Sequence, residues 1–176
     1  MKFAILFLAA VLVRMETSMG NIVVALDPVR APVTTKNFLR YVDSGKYNGA
    51  TFYRTVRPGN QAYHRPIAVI QGGLDVENLG PYGAIPLEPT TKTGLRNAAG
   101  TIAIARDKPP NTGSSEFFIN MIDDPVLDAQ HSPDRFGYAV FGRVVSGMDV
   151  ARRIERAKAD GQKLTPPVKI FRMVRI

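Results

Sequence analysis

Hydrophobic and polar positions change period several times along the chain. In residues 21–26, NIVVAL, β-branched residues follow the small, turn-like Ser18-Met19-Gly20, which predicts two short strands joined as a hairpin. Asp27-Pro28 breaks the second strand, and Pro32 suits a first helical position, where its missing N–H has no partner to lose. Val33, Phe38, Tyr41 and Val42 then recur at near-helical spacing, with Gly45 placed to end the helix in a left-handed conformation. Short β-like pieces punctuated by glycine follow at 51–55, 68–71, 101–105, 117–119 and 138–144. A second helix is predicted over 149–157, where Val150, Ile154 and Ala157 share a face, and 169–176 reads as a closing strand. Between them, residues 74–97 carry Pro81, Pro86 and Pro89 and read as a loop long enough to be functional. Many short strands with two helices predict a mainly β fold, a closed antiparallel barrel whose ends the helices plug.

Composition narrows the chemistry. The 176 residues, 45% hydrophobic and 22% charged, suit one globular domain that buries about two thirds of its unfolded surface. Glycine and proline are spread along the chain, against collagen or linker classes, and no apolar run reaches the roughly 20 residues of a membrane-crossing helix. Cysteine is absent, which removes disulfides, thiol catalysis and thiolate metal centres. His64 and His131 lack ligand spacing, and neither a phosphate-cradling glycine loop nor a serine nucleophile elbow occurs, so no metal or cofactor is expected.

The net charge is +8, of which residues 151–176 supply +6. The expected reading of that segment is a solvated helix face followed by an edge strand, and without interleaved aromatics for base stacking, nucleic acid is not an expected partner. At the other end Lys2 precedes an unbroken apolar run from Phe3 to Val13, as in the charged and apolar regions of a secretory signal. The chain is accordingly divided into a candidate signal at 1–13 and a folded domain at 14–176, exported to the periplasm or beyond. A buried first strand is the alternative use of the same run, and no small-x-small cleavage site stands before Arg14-Met15-Glu16-Thr17.

Several stretches together carry a resemblance: Asn37-Phe38, Thr51-Phe52-Tyr53-Arg54, Ile70-Gln71-Gly72-Gly73, residues 94–97 with 100–105, residues 115–120, and residues 136–144. In this order and near this spacing they resemble the cyclophilin-type peptidyl-prolyl isomerases, most closely the bacterial exported members. The resemblance implies an eight-stranded barrel capped by two α-helices, rotation about Xaa-Pro bonds in the service of protein folding, proline-containing polypeptides as partners, and no cofactor; a monomer without stable membrane insertion is expected.

It also implies roles. Arg54 matches the catalytic arginine and Gln71 the glutamine that bonds substrate backbone and helps hold it. Phe118 matches the floor of the proline pocket, with Leu127 and Tyr138 as walls. Ala105 and Arg106 match a pair whose backbone meets the substrate in strand fashion. The departures are equally specific. Val69 replaces one of two larger apolar residues before the glutamine, Val126 stands where a tryptophan is common, and Glu116 replaces a glutamine, placed to pair with Arg54 and blunt its field. Gln71 follows Arg54 by nine residues more than in the family, an excess around 60–67 that is read either as a lid carrying Tyr63 over the pocket or as a passive surface excursion. A catalytically weak module that holds proline-containing segments is the alternative to an active isomerase.

Overall fold

The computed structural model describes residues 10–60, 66–74 and 80–176. Strands β1 (Val11–Thr17) and β2 (Gly20–Leu26) form the expected hairpin, with Val13 opposite Val24 and Met15 opposite Ile22. Those four side chains are fully buried, while Arg14 and Glu16 between them face outward and pair with each other. The N-terminal apolar run therefore divides. Val11–Val13 belong to β1, where Val13 also pairs with Arg175, so the folded domain begins at least three residues before the boundary drawn at 14. Residues 1–9 lie outside the described residues.

Helix α1 (Pro32–Asp43) starts on its proline, and Gly45 lies just beyond its end with a φ of 66°. After it come β3 (Thr51–Val56), β4 (Val69–Gly73), the one-turn helix α2 (Thr90–Thr93), β5 (Thr101–Ile104), β6 (Phe117–Asn120), β7 (Val140–Ser146), α3 (Met148–Arg156), β8 (Ala159–Asp160) and β9 (Lys163–Arg175). Ladders run in the order β1-β2-β7-β5-β6-β4-β3-β9, and β1 pairs with β9 to close eight antiparallel strands into a barrel. The short β8 only folds back on the start of β9.

Alternate residues of each strand fill the interior: Met15, Ile22, Phe52, Ile70, Ile102, Phe117, Phe141 and Ile170 form one cluster with Phe38 and Tyr41 of α1 and Val150 and Ile154 of α3. Helix α1 packs on β7 and β9, and α3 on β2, β3 and β4. Phe38 meets Phe117 edge to face, ring centres 5.6 Å apart. Among the described residues, no helix is long and apolar enough to cross a membrane.

Strand β9 departs from expectation in two ways. It starts six positions before 169, and it is no edge strand, since β1 and β3 flank it. Its first half carries Pro166-Pro167, residues that a sheet admits only at edges or irregularities. The β3 ladder jumps there from Phe52↔Val168 to Arg54↔Lys163, so the prolines fall in an irregularity where no ladder N–H is demanded.

Candidate active site

The same alternation that fills the barrel places a second apolar cluster on the outside of its wall. Val56, Val69, Ala103, Phe118 and Val140 are its buried members, with Ile67, Leu95, Ala105, Leu127 and Tyr138 packed around them. Cross-strand register lines up Arg54 with Gln71, Gln71 with Phe118, Phe118 with Ala103, and Ala103 with Val140. One row thus runs across five strands from a guanidinium, through an amide, to an aromatic ring. Gly73, at φ 136°, lets β4 pass this close, because a Cβ there would stand 2.6 Å from the Ser115 carbonyl oxygen.

Strict alternation from Phe52 would turn Arg54 into the core. A bulge prevents it: the ladder with β4 pairs Phe52 with Gly72 and then Arg54 with Gln71, leaving Tyr53 as the extra residue. Tyr53 and Arg54 consequently share the outer face, and Thr55 resumes the inward position opposite Ile70. The ladder ends with Val56 opposite Val69, and the chain leaves β3 through a turn around Pro58-Gly59, where Gly59 has a φ of 98°. Gln71 therefore keeps its face despite the excess residues. Residues 61–65 of that connection, Tyr63 included, lie outside the described residues.

Arg54 donates from Nη1 to Oε1 of Gln71 at 2.8 Å, and from Nε and Nη2 to Oε1 of Gln162 at 2.9 and 2.7 Å. Both acceptors are neutral. Glu116, instead of pairing with Arg54, accepts from Nε2 of Gln71 at 3.1 Å, and the Tyr53 hydroxyl accepts from the same nitrogen at 2.7 Å. Burial, reinforced by the adjacent Glu116 carboxylate, pushes the Tyr53 hydroxyl far above its ordinary range, so it stays protonated. With Nε2 occupied in this way, the amide of Gln71 has only its oxygen to offer Arg54.

Phe118 is 4% exposed and meets Tyr138 edge to face at 5.4 Å. Tyr138 is fixed from two directions. Its N–H donates to the Leu127 carbonyl at 3.0 Å, and the Arg106 guanidinium lies 4.8 Å from its ring centre. Arg106 donates to the carbonyls of Gly137, Asp107 and Lys108 and pairs with Asp134, leaving its side chain only 2% exposed. Although burial works against its charge, bonds from Arg106, Ser132 and the Phe136 and Gly137 amides hold Asp134 well below the usual carboxylate range. Gly137 turns at φ 62° in a space where a Cβ would come within 2.5 Å of the Ala129 nitrogen.

Of the residues singled out from sequence, Arg54, Gln71, Glu116, Val69, Phe118, Leu127, Tyr138 and Ala105 are brought together on this wall. Arg106 contributes from behind Tyr138. Val126, in a 3₁₀ turn with Leu127, instead lines a separate shallow depression with Gln130, His131 and Arg135. The Ala105 N–H is already given to the Glu116 carbonyl at 2.9 Å. Gln162, Asp134 and Leu95 were not legible as site residues. Each lies in a turn or loop, and only the closed fold brings it here.

These features coincide with known proteins. Residues 12–175 match the family model for cyclophilin-type peptidyl-prolyl cis-trans isomerases. Peptidyl-prolyl cis-trans isomerase A of Dickeya dadantii is 42% identical over 148 residues, 84% of this chain and 73% of that protein. Peptidyl-prolyl cis-trans isomerase B of Escherichia coli is 33% identical over 145 residues, 82% of this chain and 84% of that one. A Cryptosporidium parvum cyclophilin-type isomerase crystallised in the presence of the dipeptide Ala-Pro superposes with a TM-score of 0.77 at 25% identity, covering 94% of this chain and 98% of its own. A barrel with this strand order, carrying these motifs in register on one wall, belongs to the cyclophilin-type peptidyl-prolyl cis-trans isomerase family.

Proposed function

We propose that this peptidyl-prolyl cis-trans isomerase turns Xaa-Pro bonds on the outer wall of its barrel, with the proline ring on Phe118 and Arg54 directed at the twisting amide. Rotation must disrupt amide resonance, a barrier of about 18–20 kcal/mol, but breaks no bond. The site therefore needs only to bind the twisted amide better than either planar form. As the bond twists, the prolyl nitrogen becomes pyramidal and regains a lone pair. A fixed cationic donor stabilises that charge without reorganising during the reaction.

One observation carries this reading. Three of Arg54's N–H bonds go to two neutral amide oxygens, so the side chain is oriented while its charge stays uncancelled, and two of the five guanidinium N–H groups are left for a ligand. Phe118, Tyr138, Leu127 and Val69 supply apolar area for the proline ring. Ala105 meets the peptide through its carbonyl, since its N–H is taken. Arg106 acts through Tyr138, and Glu116 through Gln71.

Exchange spectroscopy on a short Ala-Pro peptide tests the reading. Cross-peaks between cis and trans signals should grow with added protein and collapse with Arg54→Ala. Binding of both isomers without exchange would make the chain a holding module instead.

We further propose a monomeric, exported enzyme that serves the folding of exported proteins. Among the described residues, the closed barrel offers no long free strand edge for a second copy. Lys2 and the apolar residues up to Ala10 precede β1 and have the composition of a targeting segment. Sedimentation tests the first point. A fusion of residues 1–20 to a reporter that works only outside the cytoplasm tests the second, and a silent reporter overturns it.

A further inference from the structure

Arg54 is braced from a second side by Gln162, a residue 108 positions away. Gln162 and Gly161 form the tight turn between β8 and β9, with Gly161 at φ 56°. The turn is anchored to β3, because the Thr55 N–H donates to the Gln162 carbonyl at 2.9 Å. Nε2 of Gln162 donates to the Asn60 carbonyl at 3.1 Å. Asn60 is itself held: its Oδ1 accepts the Arg57 N–H at 2.8 Å, and its Nδ2 donates to the carbonyls of Thr55 and Gly161 at 3.0 and 3.1 Å. With Nε2 committed to a carbonyl, Oε1 of Gln162 is the atom left to face the guanidinium, and it takes both Nε and Nη2.

The chemistry of this brace differs from that of an ion pair. A free arginine side chain samples many rotamers, and a catalytic donor must lose that freedom before it can act. A carboxylate would impose that order but cancel the charge; an amide oxygen imposes it and leaves the charge in place. We infer that Gln162 is a positioning residue for the isomerisation, presenting Arg54 in one orientation beside the Phe118 pocket, and that Asn60 keeps Gln162 in place. The inference rests on the assignment of Arg54 as the catalytic donor. Asn60, the first of the residues in excess of family length, thereby acquires a role, since it ties the β3–β4 connection to the turn that steadies the arginine.

The test compares Gln162→Met, which keeps the length but removes the oxygen, with Gln162→Glu, which keeps an acceptor and adds a charge. For a saturable Xaa-Pro peptide, Gln162→Met should lower kcat at least fivefold with KM within twofold. The Arg54 Nε–H resonance should lose its protection from exchange. Gln162→Glu should keep that protection and still fall below wild type in kcat, because the guanidinium is now neutralised. Asn60→Ala should give a smaller loss of the Gln162→Met kind. A folded Gln162→Met enzyme with kcat within twofold of wild type overturns the inference. If Gln162→Met does not fold, wild-type kcat in Gln162→Glu overturns it instead. Failure of the Arg54 assignment is separately visible as full activity in Arg54→Ala.

Discussion

Nη1 of Arg54 lies 2.8 Å from Oε1 of Gln71, although the two residues are 17 positions apart in the chain. Two local irregularities make this contact. The bulge at Tyr53 turns Arg54 onto the outer face, and the ladder runs from Thr51↔Gly73 to Val56↔Val69, so that Gln71 keeps its side. A one-residue slip in either strand would have put one partner inside the barrel.

Removing that guanidinium should cost catalysis rather than folding, since Arg54 lies outside the interior cluster. Arg54→Ala is expected to lower the isomerisation rate tenfold or more, equal to about 1.4 kcal/mol of lost transition-state stabilisation. Arg54→Lys should recover only part of it, because an ammonium cannot span both Gln71 and Gln162 while still facing the substrate. Exchange spectroscopy gives the rates, and circular dichroism confirms the fold.

Phe118 is a buried member of the outer cluster and, in the proposed site, the floor beneath the proline ring. Its ring is buried among Val69, Ala103 and Val140. Phe118→Ala should destabilise the protein by roughly 3–5 kcal/mol and weaken peptide binding. Denaturant unfolding and peptide titration measure the two effects. Wild-type affinity in a folded variant would remove Phe118 from the site.

Stability should fall as pH rises through the range in which Asp124 ionises. Burial, offset in part by the Ala68 N–H and reinforced by Asp123, raises its carboxyl from an ordinary 3.8 to about 7. The native state thus binds the proton more tightly than the unfolded chain. This contribution is greatest below about 4, is lost between about 4 and about 7, and stays lost above that range. Melting temperatures should therefore decline from pH 5 to pH 8, and Asp124→Asn should flatten the decline. Asp134 has the opposite sign: its lowered carboxyl stabilises the fold above its ordinary value and loses that effect in stronger acid. Equal slopes in wild type and Asp124→Asn would contradict the assignment to Asp124.

The start of α1 depends on a residue 54 positions away from Thr34. Ala31 precedes the helix without a side-chain cap, and Glu88 supplies one, accepting the N–H of Val33 at 3.0 Å and both the N–H and hydroxyl of Thr34 at 2.8 and 2.7 Å. Glu88→Ala should cost about 1–2 kcal/mol by uncapping a buried helix end. Turnover per folded molecule should stay near wild type, because Glu88 belongs to neither the Phe118 cluster nor the Arg54 network. Denaturant midpoints and single-temperature rates separate the two effects.

The sequence by itself determined the class of the fold, most of its strands, both long helices and several of the residues on the outer wall, among them Arg54, Gln71, Phe118 and Tyr138. Those rest on local chemistry: the β-rich run of Phe117–Asn120, the proline that starts α1, the glycine that ends it, and motifs short enough to be read whole. Other features came only with the closed barrel. Val11–Val13 read first as the end of a targeting core and only second as a strand, until β2 and β9 flanked them. Pro166-Pro167 are tolerated in the first half of β9 because they fall where its register with β3 shifts, between Phe52↔Val168 and Arg54↔Lys163, a feature of pairing that no local pattern shows. Glu116 was placed against Arg54 by charge, yet the ladder set Gln71 between them. Gln162 could not be found at all, since a glutamine in a turn has no periodicity and gains its meaning only where β9 lies beside β3. Local propensity acts over a few residues, whereas Arg54 is oriented by acceptors gathered from strands and turns up to 108 positions away.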